Sequence, residues 1–314
     1  MKSSSLYVDG IDVYDMYGMY IVQGGYNELI AYPPLKEVTK NDWQEEDGIE
    51  ADLSSPVLNT REASIKFAVA GLDTGLFDFL ETISDGAYHV FLFAEIGREY
   101  RLRLIKQPSL KALKILGMVT LRFADDFPLA GYTYKPPQSS ITASDDYLID
   151  GRNITDYGIR FLKGTFDNIT QSPAVKPNML RNIKSESGTY YDPARVTFRS
   201  KDVKLNCLMR AESLSELWQN YYALLHNIIQ PNEHSLYVRE MEREFFFCYR
   251  SCQVTEFCPK DRIWLQFVLT ITFTRDFRIS SENIVLSTEN GIVVFTEDAE
   301  NIVDLRPVKT NIKQ

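Results

Sequence analysis

The chain has 314 residues, of which 44% are hydrophobic and 25% charged, an ordinary globular balance that excludes disorder over most of its length. Its net charge of −9 is uneven: residues 1–140 carry 13 basic and 20 acidic groups, residues 141–280 carry 18 and 17, and the remainder 3 and 6. That balance argues against a nucleic-acid-gripping face and is compatible with a surface that nucleic acid slides past, or simply with an acidic, solubilising exterior.

Met1-Lys2-Ser3-Ser4-Ser5 leads to Asp9 rather than to an apolar core, so no secretory signal is expected, and no apolar run is long enough to span a bilayer. Leu6 to Val13 alternates and breaks at Asp9-Gly10, which predicts a hairpin on a type I′ turn. Met19 to Gln23 reads as a short strand stopped by Gly24-Gly25. Residues 33–56 have little periodicity and read as a long loop or arm with an exposed acidic patch, Asp42-Trp43-Gln44-Glu45-Glu46-Asp47. Ser64 to Ala70 is expected to be a strand, Gly75 to Ser84 a short helix, and Val90–Ala94 with Tyr100–Ile105 a hairpin around Gly97. The first half closes on Leu121-Arg122-Phe123-Ala124-Asp125-Asp126-Phe127, and Lys135 to Ser140 reads as a semi-rigid, proline-containing linker.

The opening then returns. Tyr147-Leu148-Ile149-Asp150-Gly151 through Tyr157-Gly158 repeats Tyr7-Val8-Asp9-Gly10 through Tyr17-Gly18, the first copy carrying one extra residue. Pro173-Ala174-Val175-Lys176 answers Pro33-Pro34-Leu35-Lys36, Ser187-Gly188 answers Asp47-Gly48, and Val203–Cys207 sits where Ser64–Ala68 does. Ser213 to Ile229 is a longer amphipathic helix ended by Pro231, Leu236–Arg239 with Glu244–Tyr249 a second hairpin, and Ile263 to Thr274 a long strand closing on Arg275-Asp276-Phe277. A repeat of that period is too long for a solenoid unit and right for a domain, which predicts one fold duplicated in tandem. The expected boundaries are 1–134 and 146–280 for the two domains, 135–145 for the linker, and 281–314 for a C-terminal β extension. Such an extension is too small for a core of its own and must pair in cis or in trans.

Catalytic signatures are missing: no Gly-rich phosphate loop, no Cys-x2-Cys and no HExxH occur. Cys248 and Cys252 share a strand parity that points both into one core, so Cys207, Cys248, Cys252 and Cys258 read as reduced thiols rather than metal ligands. His89, His226 and His234 have no partner chemistry in the sequence. Asp125, Asp126 and Asp276 recur at the ends of equivalent strands, where aspartate stops pairing and starts a turn. No enzyme and no cofactor are expected. The acidic loop residues Asp42, Trp43, Glu45, Glu46 and Asp47 and the basic residues of the equivalent loop, Lys176, Arg181 and Lys184, are the candidate clasp between subunits, with opposite charge on equivalent loops.

Taken together, the Asp-Gly opening, the long loop with Trp43, one helix flanked by strands and the closing Phe-x-x-Asp-Phe pattern make the chain resemble phage tail proteins of the distal-tail type, which share a fold with tail-tube proteins. The resemblance implies a mainly β fold of two tandem β-sandwich or split-barrel domains, each with one packed helix. It also implies a structural ring of three or six chains at a virion's tail tip, assembled in the host cytoplasm. Such a ring joins the tube to the hub, carries receptor-binding components outside and lets DNA pass through without specific binding, with no membrane insertion. Two departures stand out: that family often follows one such domain with an unrelated carbohydrate-binding-like domain, and the C-terminal extension is extra. The competing expectation is a β-sandwich adhesin that binds carbohydrate or protein, with Trp43, Trp218 and Trp264 as candidate stacking residues.

Overall fold

Two seven-stranded antiparallel sheets with one internal order dominate the computed structural model, which describes residues 6–69, 75–106, 117–176, 183–190, 196–275 and 277. The first half supplies β1 (Leu6–Val8), β2 (Ile11–Asp12), β3 (Met19–Ile21), β4 (Lys40–Asn41), β5 (Glu50–Ala51), β6 (Arg61–Val69), β7 (His89–Phe93), β8 (Arg98–Lys106) and β9 (Gly117–Asp125). The second supplies β10 (Tyr147–Ile149), β11 (Arg152–Asn153), β12 (Ile159–Phe161), β13 (Lys201–Ala211), β14 (His234–Val238), β15 (Arg243–Cys258) and β16 (Ile263–Arg275). The sheets run β2-β1-β7-β8-β9-β6-β3 and β11-β10-β14-β15-β16-β13-β12, so each strand of one occupies the place of its counterpart in the other. β8 pairs with β7 through Arg98–Leu102 and with β9 from Arg103 onward, which curls its sheet into a partly closed shape. The fold is mainly β, as expected. Asp276, Arg181 and the expected extension 281–314 lie outside the described residues.

The Asp-Gly turns form as the sequence predicts: Asp9 and Gly10 have φ 50° and 81°, Asp150 and Gly151 49° and 74°. A type I′ turn needs two positive φ values, which Asp tolerates and Gly adopts freely. Alternation then fills the core. Ala63, Ile65 and Phe67 of β6 meet Phe123, Leu121 and Val119 of β9, and Val203, Leu205, Cys207 and Met209 of β13 meet Ile271, Leu269, Phe267 and Leu265 of β16, all buried.

Several expectations are corrected. Ile65 pairs with Leu121 where Leu205 pairs with Leu269, so Ser64 corresponds to Lys204 and not to Val203. That one-residue shift matters because it exchanges the two faces of a strand. Besides one longer helix in each half, the described residues hold shorter helical segments that the sequence did not announce: α1 (Val13–Tyr17) and α2 (Asn27–Ile30) precede α3 (Gly75–Ile83) in the first, and a 3-10 turn (Ile154–Tyr157), α4 (Thr165–Thr170) and a second 3-10 turn (Arg239–Met241) flank α5 (Leu214–Ile228) in the second. The extra residue of the first copy fills α1, whose N-cap Asp12 accepts from Tyr14 N and Asp15 N, whereas Asn153 gives no such cap and the counterpart tightens to 3-10. Cys248 and Cys252 do not share a face, because a bulge between Tyr249 and Ser251 adds a residue to β15 and reverses the parity. All four cysteines are free. Among the described residues no helix is long and apolar enough to cross a membrane.

His89 is buried, not idle: its Nδ1 meets Asp9 Oδ2 at 2.6 Å and its Nε2 meets Asp85 Oδ1 at 3.0 Å, while Asp9 Oδ1 accepts from Val90 N. His234, Asp150 and Ser235 N repeat the arrangement. Each pair ties the Asp-Gly hairpin to the strand beside it. Burial pulls the His89 pKa down, but the two carboxylates outweigh it and leave it above the ordinary 6.5. A base whose folded pKa is raised stabilises fully below its unfolded value and loses that contribution as pH rises through the folded one. The stability difference between wild type and His89→Gln should therefore be full below the ordinary histidine value and shrink as pH rises above it in urea titrations; a difference that grows with pH would exclude an ionised pair.

Candidate functional site

The feature with the most chemistry on it is the arm of residues 36–56, which leaves the first half between Lys36 and Val57 and lies on the second. Two β-bridges frame equivalent loops: Leu35 with Leu58 in the first half, Val175 with Phe198 in the second. Around them Lys36 N bonds Val57 O and Lys176 N bonds Thr197 O, both at 2.8 Å, so Lys36 and Lys176 hold matching positions. The arm itself contains a short hairpin, β4 with β5, that the sequence showed only as aperiodic loop.

Lys176 is 1% exposed, and its Nζ donates to Trp43 O at 2.6 Å, Glu46 O at 2.7 Å and Gly48 O at 2.8 Å, with Asp42 Oδ1 also at 2.6 Å. An ammonium buried without acceptors is costly, so this cradle of oxygens is what permits its burial. Backbone bonds extend the grip: Gly48 N to Phe198 O at 2.8 Å, Ile49 N to Thr274 O at 3.0 Å and Asn232 N to Leu53 O at 2.8 Å. Asp47 Oδ1 accepts from Phe198 N, and Thr197 Oγ1 donates to Gln44 O, each at 2.8 Å. Gly48 has φ 76°, and a Cβ there would stand 1.7 Å from Thr274 O. Only glycine fits.

Of the candidate clasp residues, Asp42, Trp43, Glu46 and Asp47 thus meet Lys176 or its neighbours within one chain. Glu45 and Lys184 stand exposed, and Arg181 lies outside the described residues. Trp43 is half exposed and donates through Nε1 to Glu50 Oε2 at 3.0 Å. Charge drew attention to the right loops, but the contact is made chiefly by main-chain carbonyls, which leave no signature in residue type. The Pro-x-x-Lys match was the one legible sign of the site.

Below the arm the halves share aromatic contacts. The Tyr32 ring sits 4.1 Å from that of Tyr221, its hydroxyl donates to Tyr221 O, and Tyr221 returns a bond to Ile30 O at 3.0 Å. Tyr249 donates to Pro33 O at 3.0 Å. Burial pushes the phenol pKa values of Tyr32, Tyr221 and Tyr249 well up, which keeps them neutral donors. Trp218 is buried and donates to Ile96 O at 2.8 Å, which removes it from any stacking surface. Beside it lies a cleft of about 770 Å³ where the Arg98 guanidinium rests 4.6 Å from the Tyr222 ring and Arg61 pairs with Asp125. Asp126 accepts from Arg103, Tyr88 and Thr60, so both strand-end aspartates are structural; Arg103 chiefly holds Asp126 down to about 2. No group of three or more His, Cys, Asp or Glu positioned for a metal occurs among the described residues.

No family model and no curated protein matches the chain. Among solved structures it is similar to the Dit (gp 19.1) protein of SPP1, described as a paradigm of the hub adsorption apparatus in phages infecting Gram-positive bacteria. The TM-score is 0.32 at 15% identity, covering 86% of this chain and 98% of that one.

Lys176→Met should destabilise the chain by about 3 kcal/mol in urea unfolding, because several buried carbonyls lose their donor. Gly48→Ala should cost more than about 2 kcal/mol through its backbone clash, and Gly188→Ala about 1–2 kcal/mol from φ alone. Equal losses at the two glycines would refute the seating of the arm.

Proposed function

We propose that the chain is a structural ring subunit of a phage tail tip, joining tail tube to hub and anchoring host-recognition components, with no catalytic role. The observation that carries this reading is the arm contact: a fold unit whose long loop grips a second copy of the same unit. Here the second copy is fused in the same chain, and the first half's arm and the second half's socket are different surfaces. Contacts of that heterologous kind propagate into rings or filaments instead of stopping at a pair. The sequence resemblance to distal tail proteins directs the choice toward the tail tip. The acidic first half suits a channel that DNA traverses without sticking. The partners under this reading are further copies of the chain and the tube, hub and receptor-binding proteins of the tail, within the virion after assembly in the host cytoplasm.

Light scattering on the purified chain followed by negative-stain imaging tests it. Rings of three or six chains around a hole are expected. A stable monomer that also fails to join tube or hub proteins when mixed with them would count against the reading.

A further inference from the structure

The second half has an arm of its own, and the first half has a socket of its own. Residues 183–190 match 43–50: Gly188 takes φ 95° where Gly48 takes 76°, and the turn preceding each glycine has the same shape. Among the described residues the arm makes hydrogen bonds only within itself, Glu186 N to Ile183 O and the Tyr190 hydroxyl to Glu186 Oε2. A Cβ at Gly188 would meet nothing within 4 Å, whereas at Gly48 it strikes Thr274 O. Ile183 and Tyr190 are 40% and 60% exposed.

Among the described residues the first-half socket is equally open. Lys36, the counterpart of buried Lys176, is exposed and makes no side-chain hydrogen bond or ion pair among the described residues. Val57 is 50% exposed where Thr197 is 7% exposed. Asp126, the counterpart of fully buried Thr274 by the pairing of Arg61 with Asp125 and Lys201 with Phe273, is partly exposed, and Phe127 beside it is 65% exposed.

We infer that the arm of residues 183–190 of one copy seats on the socket of Lys36, Val57, Leu58 and Asp126 of a second copy, repeating between chains the contact that 43–50 makes with Lys176, Thr197, Phe198 and Thr274 inside one. The inference rests on the ring-subunit reading and names the surfaces that reading requires. Its chemistry transfers because the lysine cradle is made of carbonyls: those of Ile183, Glu186 and Gly188 replace those of Trp43, Glu46 and Gly48. Gly188 N to Leu58 O and Thr189 N to Asp126 O replace Gly48 N to Phe198 O and Ile49 N to Thr274 O. Ser187 replaces Asp47 as acceptor for the Leu58 N–H. The surplus of acid on the first half and the near-neutral second half favour this head-to-tail order over head-to-head.

Two single variants and their mixture test it. Lys36→Glu breaks the socket and leaves the arm, and Gly188→Val breaks the arm and leaves the socket; circular dichroism and thermal melts check that each still folds. By light scattering the wild type should form multimers, each variant alone should associate at least about tenfold more weakly, and the equimolar mixture should stop at a one-to-one dimer. If either folded variant keeps the wild-type mass, the inference falls while the ring reading survives. A Leu58→Cys, Ser187→Cys double variant covers a weak contact: a reducible ladder of multimers under oxidation supports the inference. A monomeric wild type together with no ladder overturns the inference, and the ring reading falls with it only if the chain also fails to join tube or hub proteins.

Discussion

A lysine ammonium withdrawn from water destabilises a fold by several kcal/mol unless oxygen atoms surround it, and Lys176 is surrounded only because another half of the chain supplies them. That requirement reaches outward. The carbonyls of Trp43, Glu46 and Gly48 converge only if the arm turns tightly at Gly48, and the turn fits only if nothing but hydrogen projects toward Thr274 O. Thr274 in turn is fixed at the end of β16, whose alternating residues build the second core. The arm is therefore a consequence of both halves being folded, and it couples them.

The two halves differ in chemistry where the strand ends meet. Arg61, buried with Asp125 and accepted by Ala31 O, gives way to Lys201, which bonds Ile169 O and Gln171 O and lies 5.9 Å from the Phe273 ring. A fork-shaped cation split between a carboxylate and a carbonyl has become a point charge on carbonyls beside a ring. The place of the cation is kept while its counter-ion is not, which shows that the carbonyl at the end of the short helix, Ala31 or Gln171, is the constraint common to both. The aspartate–histidine clamps behave oppositely, with Asp9 and His89 matched residue for residue by Asp150 and His234.

What the sequence disclosed follows from which atoms carry each feature. The Asp-Gly turns, the alternating strands and α5 depend on side chains or on glycine, and all were legible, as was the mainly β class. The one-residue register of β13 is not legible in the sequence because Ser64-Ile65 and Val203-Lys204 both alternate, and alternation alone does not fix phase. The β15 bulge, the one-turn helices and the β4–β5 hairpin are backbone decisions too short to leave a period. The histidines looked partnerless because Asp9 and His89 are joined only by strand pairing across the sheet. The clasp is half visible in the sequence, which carries its charges and its Pro-x-x-Lys repeat but not its carbonyl cradle.

The asymmetry between the two arms has a physical sense under the proposed assembly. Val57 in place of Thr197 removes the hydroxyl that bonds the Gln44 carbonyl, and Ser187 in place of Asp47 exchanges a charge-assisted bond for a neutral one, each worth about 1 kcal/mol. A contact inside one chain also benefits from tethering, which a contact between chains lacks. The seat of 43–50 on Lys176 is thus the permanent one, formed as the chain folds, and a seat of 183–190 on Lys36 is weaker in both chemistry and effective concentration. A weaker trans contact lets subunits part and re-pair until a closed ring, in which every arm is seated, outlasts the open chains that leave one arm and one socket empty.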